Sequence, residues 1–191
     1  YCQSLLEPPK YSLQDVYRSL SVIAGESDFI QSELYKNSNF LYPRNDRILY
    51  YDCTNYYFEI EAEDDLRRYG KSKENRPNPI VTMGLFMDAD GIPLAFDIFP
   101  GNQNEQTTLK PLEKKILKDF QLSEFIVCTD AGLASTENRK FNAVQGRSYI
   151  VTQSLKTLKG FLRDWVLDPD GWKLKGSDKL YNIREIDETL H

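Results

Sequence analysis

Residues 48–59 decide how this chain folds, and they read Ile48-Leu-Tyr-Tyr-Asp-Cys-Thr-Asn-Tyr-Tyr-Phe-Glu59. Aromatic and β-branched residues dominate the stretch, which predicts a β-strand that carries Asp52. A second aspartate, Asp130, closes the apolar run Phe125-Ile-Val-Cys-Thr-Asp130 and is followed by Ala131-Gly132. Carboxylates at strand ends, beside a glycine turn, are well placed to hold a hard divalent cation. The two aspartates are therefore the first candidates for a functional site.

Four further patterns surround this strand. Residues 79–88 predict a second strand, Asp90-Gly91 a tight hairpin turn, and residues 92–99 a third strand. Residues 107–120 predict an amphipathic helix with its lysines directed outward. Its inward residues are Leu109, Leu112, Ile116 and Leu117.

The next part of the chain alternates between strand and helix. Residues 125–129 and 149–152 are short apolar runs, which predict two buried strands. Residues 135–145 and 154–166 predict helices. Three antiparallel strands followed by this alternation are typical of an α/β ribonuclease H-like fold, a mixed five-stranded sheet flanked by helices. In that fold the first strand lies centrally beside the fourth, which would bring the two aspartates together.

Composition excludes several classes of protein. The net charge of −5 argues against nucleic-acid binding over the whole surface, because phosphate contacts need Lys and Arg. His191 is the only histidine, and Cys2, Cys53 and Cys128 have no metal-ligand spacing, so zinc hydrolase and Ser-His-Asp chemistry are disfavoured. An odd number of cysteines predicts a reducing cytoplasm. Because the chain opens on Tyr1 rather than Met, we expect a piece of a longer protein.

One local stretch is strongly basic. Residues 67–76 carry five bases against a single acid, Glu74. A solvated loop is the simplest explanation of such a run. However, it lies between the first two strands, where a loop of this fold can extend beside the aspartates, so its bases are candidates for DNA contact. These bases are Arg67, Arg68, Lys71, Lys73 and Arg76.

Five segments, in order, carry a resemblance to a known family. They are Tyr51–Glu59, Asn78–Leu85, Gly91–Asn102, Thr107–Leu109 and Thr129–Leu133. Together they resemble the catalytic domain of bacterial insertion-sequence transposases of the DDE type, in the branch with a Tyr-x2-Arg-x3-Glu-x6-Lys signature. Any one segment alone is a weak signal, whereas their shared order over residues 48–155 is a strong one.

The resemblance implies that Asp52 and Asp130 are catalytic, as the first two acids of a triad that binds two Mg²⁺ or Mn²⁺ ions. One ion would activate water or a 3′-hydroxyl, and the other would stabilise the leaving oxygen. The resemblance also implies DNA as the partner, cleaved at transposon ends and joined to a target, and a homodimer that bridges two ends. Such a protein would work in the bacterial cytoplasm, associated with the nucleoid.

The sequence leaves two possible positions for the third acid of the triad. Tyr181, Arg184 and Glu188 fit Tyr-x2-Arg-x3-Glu, but the lysine would fall beyond His191. Either Glu188 is the third acid, or a glutamate beyond this chain has that role, and we favour the second. The chain would then be a catalytically incomplete enzyme fragment, inactive alone.

The resemblance also divides the chain into regions. An N-terminal helical segment precedes the ribonuclease H-like core, and an insertion begins near the end and is truncated. Helices are predicted at 12–24, with a capping box of Ser12 and Asp15, and at 27–36. Their apolar faces favour covering the sheet over binding DNA. The three regions are residues 1–47, 48–166 and 167–191.

Other polar groups have simpler explanations. Glu59 lies an odd number of residues from Asp52, so a regular strand directs it to the opposite face, as a structural acid. Residues 88–91, Asp-Ala-Asp-Gly, lack the downstream ligands of a calcium loop, and a hairpin explains them. Asn102 and Asn104 follow the third strand, where helix capping competes with a contact to a DNA phosphate.

Two other functions are open. Asp52-Cys-Thr54 could contain the nucleophile of a phosphohydrolase, although Thr54 stands where that chemistry usually has a second acid. Alternatively, the chain is a non-catalytic DNA-binding or assembly fragment of a decayed element. A reading frame that continues into an Arg-x3-Glu helix would favour the transposase.

Overall fold

The computed structural model describes residues 10–144, 146–173, 176 and 178–182. The chain divides into two compact units, Tyr1–Thr152 and Gln153–His191. Among the described helices, none is long and apolar enough to cross a membrane.

The first unit contains strands β1 (Ile48–Tyr57), β2 (Ile80–Met87), β3 (Pro93–Pro100), β4 (Ile126–Thr129) and β5 (Ser148–Val151). They form one mixed sheet in the order β3-β2-β1-β4-β5. The first three strands pair in antiparallel fashion, whereas β4 is parallel to β1 and β5 is parallel to β4. The predicted ribonuclease H-like sheet is confirmed, including the central position of β1 beside β4.

The α-helices described in this unit are α1 (Leu13–Gly25), α2 (Ser27–Leu41), α3 (Leu109–Asp119) and α4 (Thr136–Phe141). The predicted capping box at the start of α1 is present. Ser12 Oγ accepts a hydrogen bond from Asp15 N at 3.3 Å, and Asp15 Oδ2 accepts one from Ser12 N at 2.9 Å. The two reciprocal bonds satisfy backbone donors that the first turn of a helix leaves unpaired.

The two N-terminal helices cover the sheet unequally. α2 buries Gln31, Ser32 and Tyr35, and Gln31 Oε1 accepts a hydrogen bond from Phe96 N of β3 at 2.7 Å. α1 has no buried residue, and its contacts are chiefly with α2. The favoured expectation that both helices cover the sheet is therefore wrong for α1, because this helix buries none of its residues.

The core lies on one face of the sheet, between the strands and α3. β1 contributes alternate residues, namely Leu49, Tyr51 and Cys53, as the period of two in a strand requires. Each well-buried apolar side chain of this kind stabilises the fold by about 1.5–3 kcal/mol. The residues from α3 are the predicted Leu109, Leu112 and Ile116, with Leu117 partly buried against them.

The burial predicted for one of the strands is wrong. Residues 149–152 were expected to form a buried strand, but β5 is an edge strand that pairs with β4 alone. Tyr149 and Ile150 are 39% and 58% exposed. An apolar run does not reveal how many neighbours a strand has, so the run alone could not distinguish edge from centre.

The second unit contains α5 (Gly160–Leu167) and a ribbon of β6 (Trp172–Lys173) and β7 (Leu180–Tyr181). The prediction of one helix over 154–166 is wrong in its first half. That half forms a 3₁₀ turn at Leu155–Thr157, after which Leu158 is extended, with φ −69° and ψ 145°. Thr157 in this half is a poor helix former.

A buried ion pair joins α3 to the chain just before β5. Glu113 Oε1 lies 3.4 Å from Arg147 Nε, and the side chains are 0% and 4% exposed. In the described part of the chain, neither carboxylate oxygen of Glu113 has a hydrogen-bond partner. Burial raises the pKa of Glu113 to about 7, because the charge of the Arg147 guanidinium offsets only part of the cost of burying the carboxylate.

We expect the free energy of unfolding to fall between pH 4.5 and about 7, because the folded state holds the Glu113 proton more tightly than the unfolded chain does. Protonation of Glu113 contributes its full stabilisation below this pH window and none above it, so the free energy of unfolding changes by roughly 3 kcal/mol. Urea unfolding of the wild type and Glu113→Gln measures it as the difference between the two pH profiles. Glu137→Gln, at a side chain 84% exposed, is the control. A wild-type minus Glu113→Gln difference that is constant with pH would contradict the prediction.

Candidate active site

Asp52 and Asp130 lie at the same level of adjacent parallel strands. β1 pairs with β4 from Ile48 opposite Ile126 onward, an offset of 78 residues (126 − 48). The two aspartates differ by the same offset (130 − 52), and Asp130 continues β4 in an extended conformation, with φ −73° and ψ 176°. Opposite residues of a parallel pair share a face, and the strands lie about 4.8 Å apart. Both carboxylates therefore project from the same face at the same edge of the sheet.

Each aspartate uses one carboxylate oxygen to bind the backbone. Asp52 Oδ1 accepts a hydrogen bond from Cys53 N at 2.8 Å. Asp130 Oδ1 accepts one from Leu133 N at 3.1 Å and so caps the 3₁₀ turn Ala131–Leu133. Both aspartates are exposed, and within the described residues neither Oδ2 atom has a partner. One oxygen of each carboxylate is thus free to bind a ligand.

This pair of oxygens suits a divalent cation. Hard cations such as Mg²⁺ take oxygen ligands and are often held by only one or two carboxylates. Across the residues that the structure describes, no group of three or more His, Cys, Asp or Glu side chains could hold a metal ion. The candidate third acid, Glu188, and Arg184 of the same signature lie outside the described residues. The described chain therefore supplies two carboxylates.

A buried polar network, which the sequence did not reveal, fixes the strand that carries Asp52. The Tyr51 hydroxyl lies 2.6 Å from Thr108 Oγ1, and Cys53 Sγ lies 3.3 Å from the same oxygen. Thr108 Oγ1 donates to the Glu105 carbonyl at 2.6 Å, so the network ties β1 to the start of α3. Burial raises the pKa of both Tyr51 and Cys53, which keeps them protonated at neutral pH. Alternation along β1 then directs the intervening aspartate to the opposite face.

The basic loop is fastened to the end of β1. Asn55 Oδ1 accepts a hydrogen bond from Lys73 N at 3.1 Å, and Asn55 Nδ2 donates to the Lys71 carbonyl at 3.4 Å. Lys73 Nζ donates to the Cys53 carbonyl and lies 4.0 Å from Glu105 Oε1. The loop therefore reaches the residue that directly follows the first aspartate.

Most of the predicted DNA-binding bases have acidic partners. Lys71 is the exception, with no ion-pair partner among the described residues. Hydrogen bonds from Arg67 lower the pKa of Asp64 to about 2. The sequence window of residues 67–76 contained only Glu74. It missed Glu63 and Asp64, which lie just before the loop in the chain, and Glu105, which folding brings to the loop. The pairs are Arg67 with Asp64 at 2.5 Å, Arg68 with Glu63 at 3.6 Å, Arg76 with Glu74 at 3.7 Å and Lys73 with Glu105 at 4.0 Å.

Asp88 and Asn104 have the local structural roles that the sequence predicts. Asp88 Oδ1 accepts hydrogen bonds from Asp90 N at 3.1 Å and Ile92 N at 2.9 Å, so the hairpin explanation is confirmed. Asn104 Oδ1 caps the 3₁₀ turn Glu105–Thr107, which is the predicted capping role. Glu59 lies just beyond β1 and is exposed.

Comparison with known proteins finds similarity among solved structures. No protein-family model and no curated protein sequence matches the chain. The chain is similar to the Mos1 transposase paired-end complex with left transposon end, with 12% identity, a TM-score of 0.38, and coverage of 78% of this chain and 44% of that chain. It is also similar to the piggyBac transposase synaptic complex with hairpin DNA, with 13% identity, a TM-score of 0.40, and coverage of 60% of this chain and 26% of that chain.

A third similar structure is the Mos1 mariner paired end complex with Mn, with 10% identity and a TM-score of 0.35. The match covers 76% of this chain and 45% of that chain. This chain therefore spans less than half the length of the proteins it is similar to. At these identities and TM-scores, the likeness assigns neither an activity nor a partner to this chain.

Proposed function

We propose that this chain is the catalytic domain of a DNA transposase, a polynucleotidyl transferase that cleaves DNA at transposon ends and transfers the strand to a target. The observation that carries the proposal is the shared register of Asp52 and Asp130 at one edge of a ribonuclease H-like sheet. The proposal includes the bacterial insertion-sequence branch of the DDE type. It also includes a homodimer in the active complex and a cytoplasmic, nucleoid-associated location.

In this proposal Asp52 and Asp130, together with the third acid, would hold two divalent ions, Mg²⁺ or Mn²⁺, and each aspartate has a free Oδ2 atom for this role. Such ions, when bound, lower the pKa of the attacking water or hydroxyl and stabilise charge on the leaving oxygen. The backbone donors Cys53 N and Leu133 N orient the carboxylates by binding their Oδ1 atoms. The third carboxylate is Glu188 or a residue beyond this chain.

DNA is the proposed substrate because a basic loop borders the same edge of the sheet. The loop is held beside β1 by Asn55, as described above. Its surface ion pairs are worth only about 0–1 kcal/mol each, so the bases can exchange carboxylate partners for phosphates. The proposed DNA contacts are Arg67, Arg68, Lys71, Lys73 and Arg76.

A non-catalytic DNA-binding or assembly role is the second candidate. The observation in its favour is that the described residues bring two acids together rather than three. A fragment of a decayed element would keep the basic loop and the sheet without binding metal. DNA binding that does not depend on metal, by a chain that binds no Mn²⁺, would favour this role.

Binding of Mn²⁺ tests the transposase proposal directly. We expect the wild-type chain to bind Mn²⁺ in calorimetry and in electron paramagnetic resonance of the free ion. Asp52→Asn and Asp130→Asn should each weaken binding at least as much as the ~10–100-fold loss seen for outer-shell partners. Glu59→Gln, which removes an exposed acid just beyond the end of β1, is the matched control. Equal Mn²⁺ affinity in the wild type and both asparagine variants would refute the metal site.

A further inference from the structure

A cavity of about 520 Å³ lies between the basic loop and the segment that follows β3. This volume is within the ~300–1,000 Å³ typical of ligand pockets. Glycines and amide side chains form much of its wall, and its charged groups are Lys71, Lys73 and Glu105. Two ammonium groups against one carboxylate give the cavity a net positive charge, which favours an anionic ligand.

The cavity borders the candidate active site on two sides. Gly132 lines it, and a Cβ placed on Gly132 would lie 3.4 Å from both carboxylate oxygens of Asp130. On the other side, Lys73 Nζ donates to the carbonyl of Cys53, the residue after Asp52. A ligand in the cavity would therefore be a close neighbour of whatever is bound at the aspartates.

Among the described residues that line the cavity, the Lys71 ammonium, the Asn102 amide and the Thr82 hydroxyl have no hydrogen-bond or ion-pair partner. The remaining charges are already engaged, because Lys73 lies 4.0 Å from Glu105. Of these three side chains, Lys71 and Asn102 are exposed, and an ammonium and an amide are donors that bind phosphate oxygens.

The wall that presents these two groups is fixed before any ligand arrives. A Cβ on Gly70 would overlap the Gly101 carbonyl oxygen, so the two backbones touch there. Gly101 N donates to the Leu66 carbonyl at 3.1 Å, and Asn55 holds the Lys71 carbonyl. A preformed wall lowers the entropy that binding must otherwise overcome.

We propose that this cavity is a phosphate-binding subsite for the DNA strand, which takes a phosphodiester group close to the one held at Asp52 and Asp130. Lys71 Nζ and the Asn102 amide are the protein groups that donate hydrogen bonds to this phosphate. The inference rests on the proposed function, since it assumes that the substrate is DNA. It distinguishes Lys71 from the other four bases of the loop, because those four must give up a carboxylate partner before they can bind a phosphate.

Salt dependence of DNA binding tests the subsite. Fluorescence anisotropy of a labelled oligonucleotide would be measured with the 191-residue chain in EDTA, so that metal binding has no part in the result. For Lys71→Gln, the slope of log affinity against log salt should fall by about 0.9 on duplex DNA or about 0.7 on a single strand, as expected for one lost phosphate contact. Lys71→Arg should restore the wild-type salt slope. Asn102→Ala should weaken DNA binding but leave the salt slope unchanged, because it removes no charge.

Lys118→Gln is the matched control, because this lysine lies at the other end of α3 and its side chain is 85% exposed. A wild-type slope in Lys71→Gln, or an equal loss in Lys118→Gln, would overturn the subsite while leaving DNA binding intact. Failure of the wild type to bind DNA at any salt would overturn the proposed function as well. At matched ionic strength, inorganic phosphate should compete with DNA for the wild type but not for Lys71→Gln. Phosphate that binds the wild type through Lys71 and leaves its DNA affinity unchanged would assign the cavity to free phosphate and refute the DNA subsite.

Discussion

Asp52→Asn and Asp130→Asn should each lower metal-dependent strand cleavage by ~10³-fold or more, in a protein that supplies the third acid, whether Glu188 or a later residue. Removing one carboxylate ligand removes charge stabilisation worth several kcal/mol in the transition state, and ~4 kcal/mol is ~10³-fold in rate. Both side chains are exposed, so the fold should be unaffected. Nicking of supercoiled plasmid in Mn²⁺, together with the unfolding midpoint, measures both effects.

The control for this prediction is Glu59→Gln. Glu59 lies just beyond β1, and this variant should cleave DNA at the wild-type rate. A variant of either aspartate that retains cleavage would remove that residue from the site. If both variants retain it, the activity belongs elsewhere in the protein, and the shared register of the two strands has no catalytic meaning.

Arg44→Met should lower the free energy of unfolding by about 3–5 kcal/mol, the usual result of removing one partner of a buried ion pair. Arg44 Nε lies 2.5 Å from Asp88 Oδ2, and the two side chains are 3% and 0% exposed. The same guanidinium donates to the carbonyls of Ile92 and Pro93, both at 3.0 Å. One arginine therefore fastens the segment before β1 to the hairpin between β2 and β3.

Urea unfolding measures this loss, with Arg18→Met as the matched control. Arg18 pairs with Asp15 at 3.2 Å, but its side chain is 72% exposed, so its loss should be below about 1 kcal/mol. The double variant Arg44→Met with Asp88→Leu should be less destabilised than the sum of its single variants, because it leaves no buried charge unpaired. A loss in Arg44→Met no larger than in Arg18→Met would show that the pair contributes little.

Local patterns in the sequence predicted the elements that local chemistry determines. The Asp90-Gly91 turn, the capping box at Ser12 and the apolar face of α3 each depend on a few neighbouring residues, and each is confirmed. The position of Asp52 opposite Asp130 on neighbouring strands could also be predicted, because the order of the elements indicated which strands become neighbours.

What the sequence could not provide depends on contacts between distant segments. The exposure of β5 depends on how many strands flank it, and the pairing of Lys73 depends on Glu105, an acid from a distant segment that folding brings close. The cavity beside Asp130 is a further case, because two segments about thirty residues apart form its wall where Gly70 meets Gly101.

The parallel pairing of β1 with β4 also bears on the order in which the chain folds. β1 and β2 are joined by a connection of moderate length, whereas β1 and β4 must close a loop of 78 residues (126 − 48), with the larger entropy loss. We expect the β1–β2–β3 meander to form before β4 docks against it. The two aspartates then meet only in the last stage, and an ion that needs both would bind the native chain alone. If the proposed metal site exists, the strand pairing that builds it makes metal binding a reporter of the docking of β4.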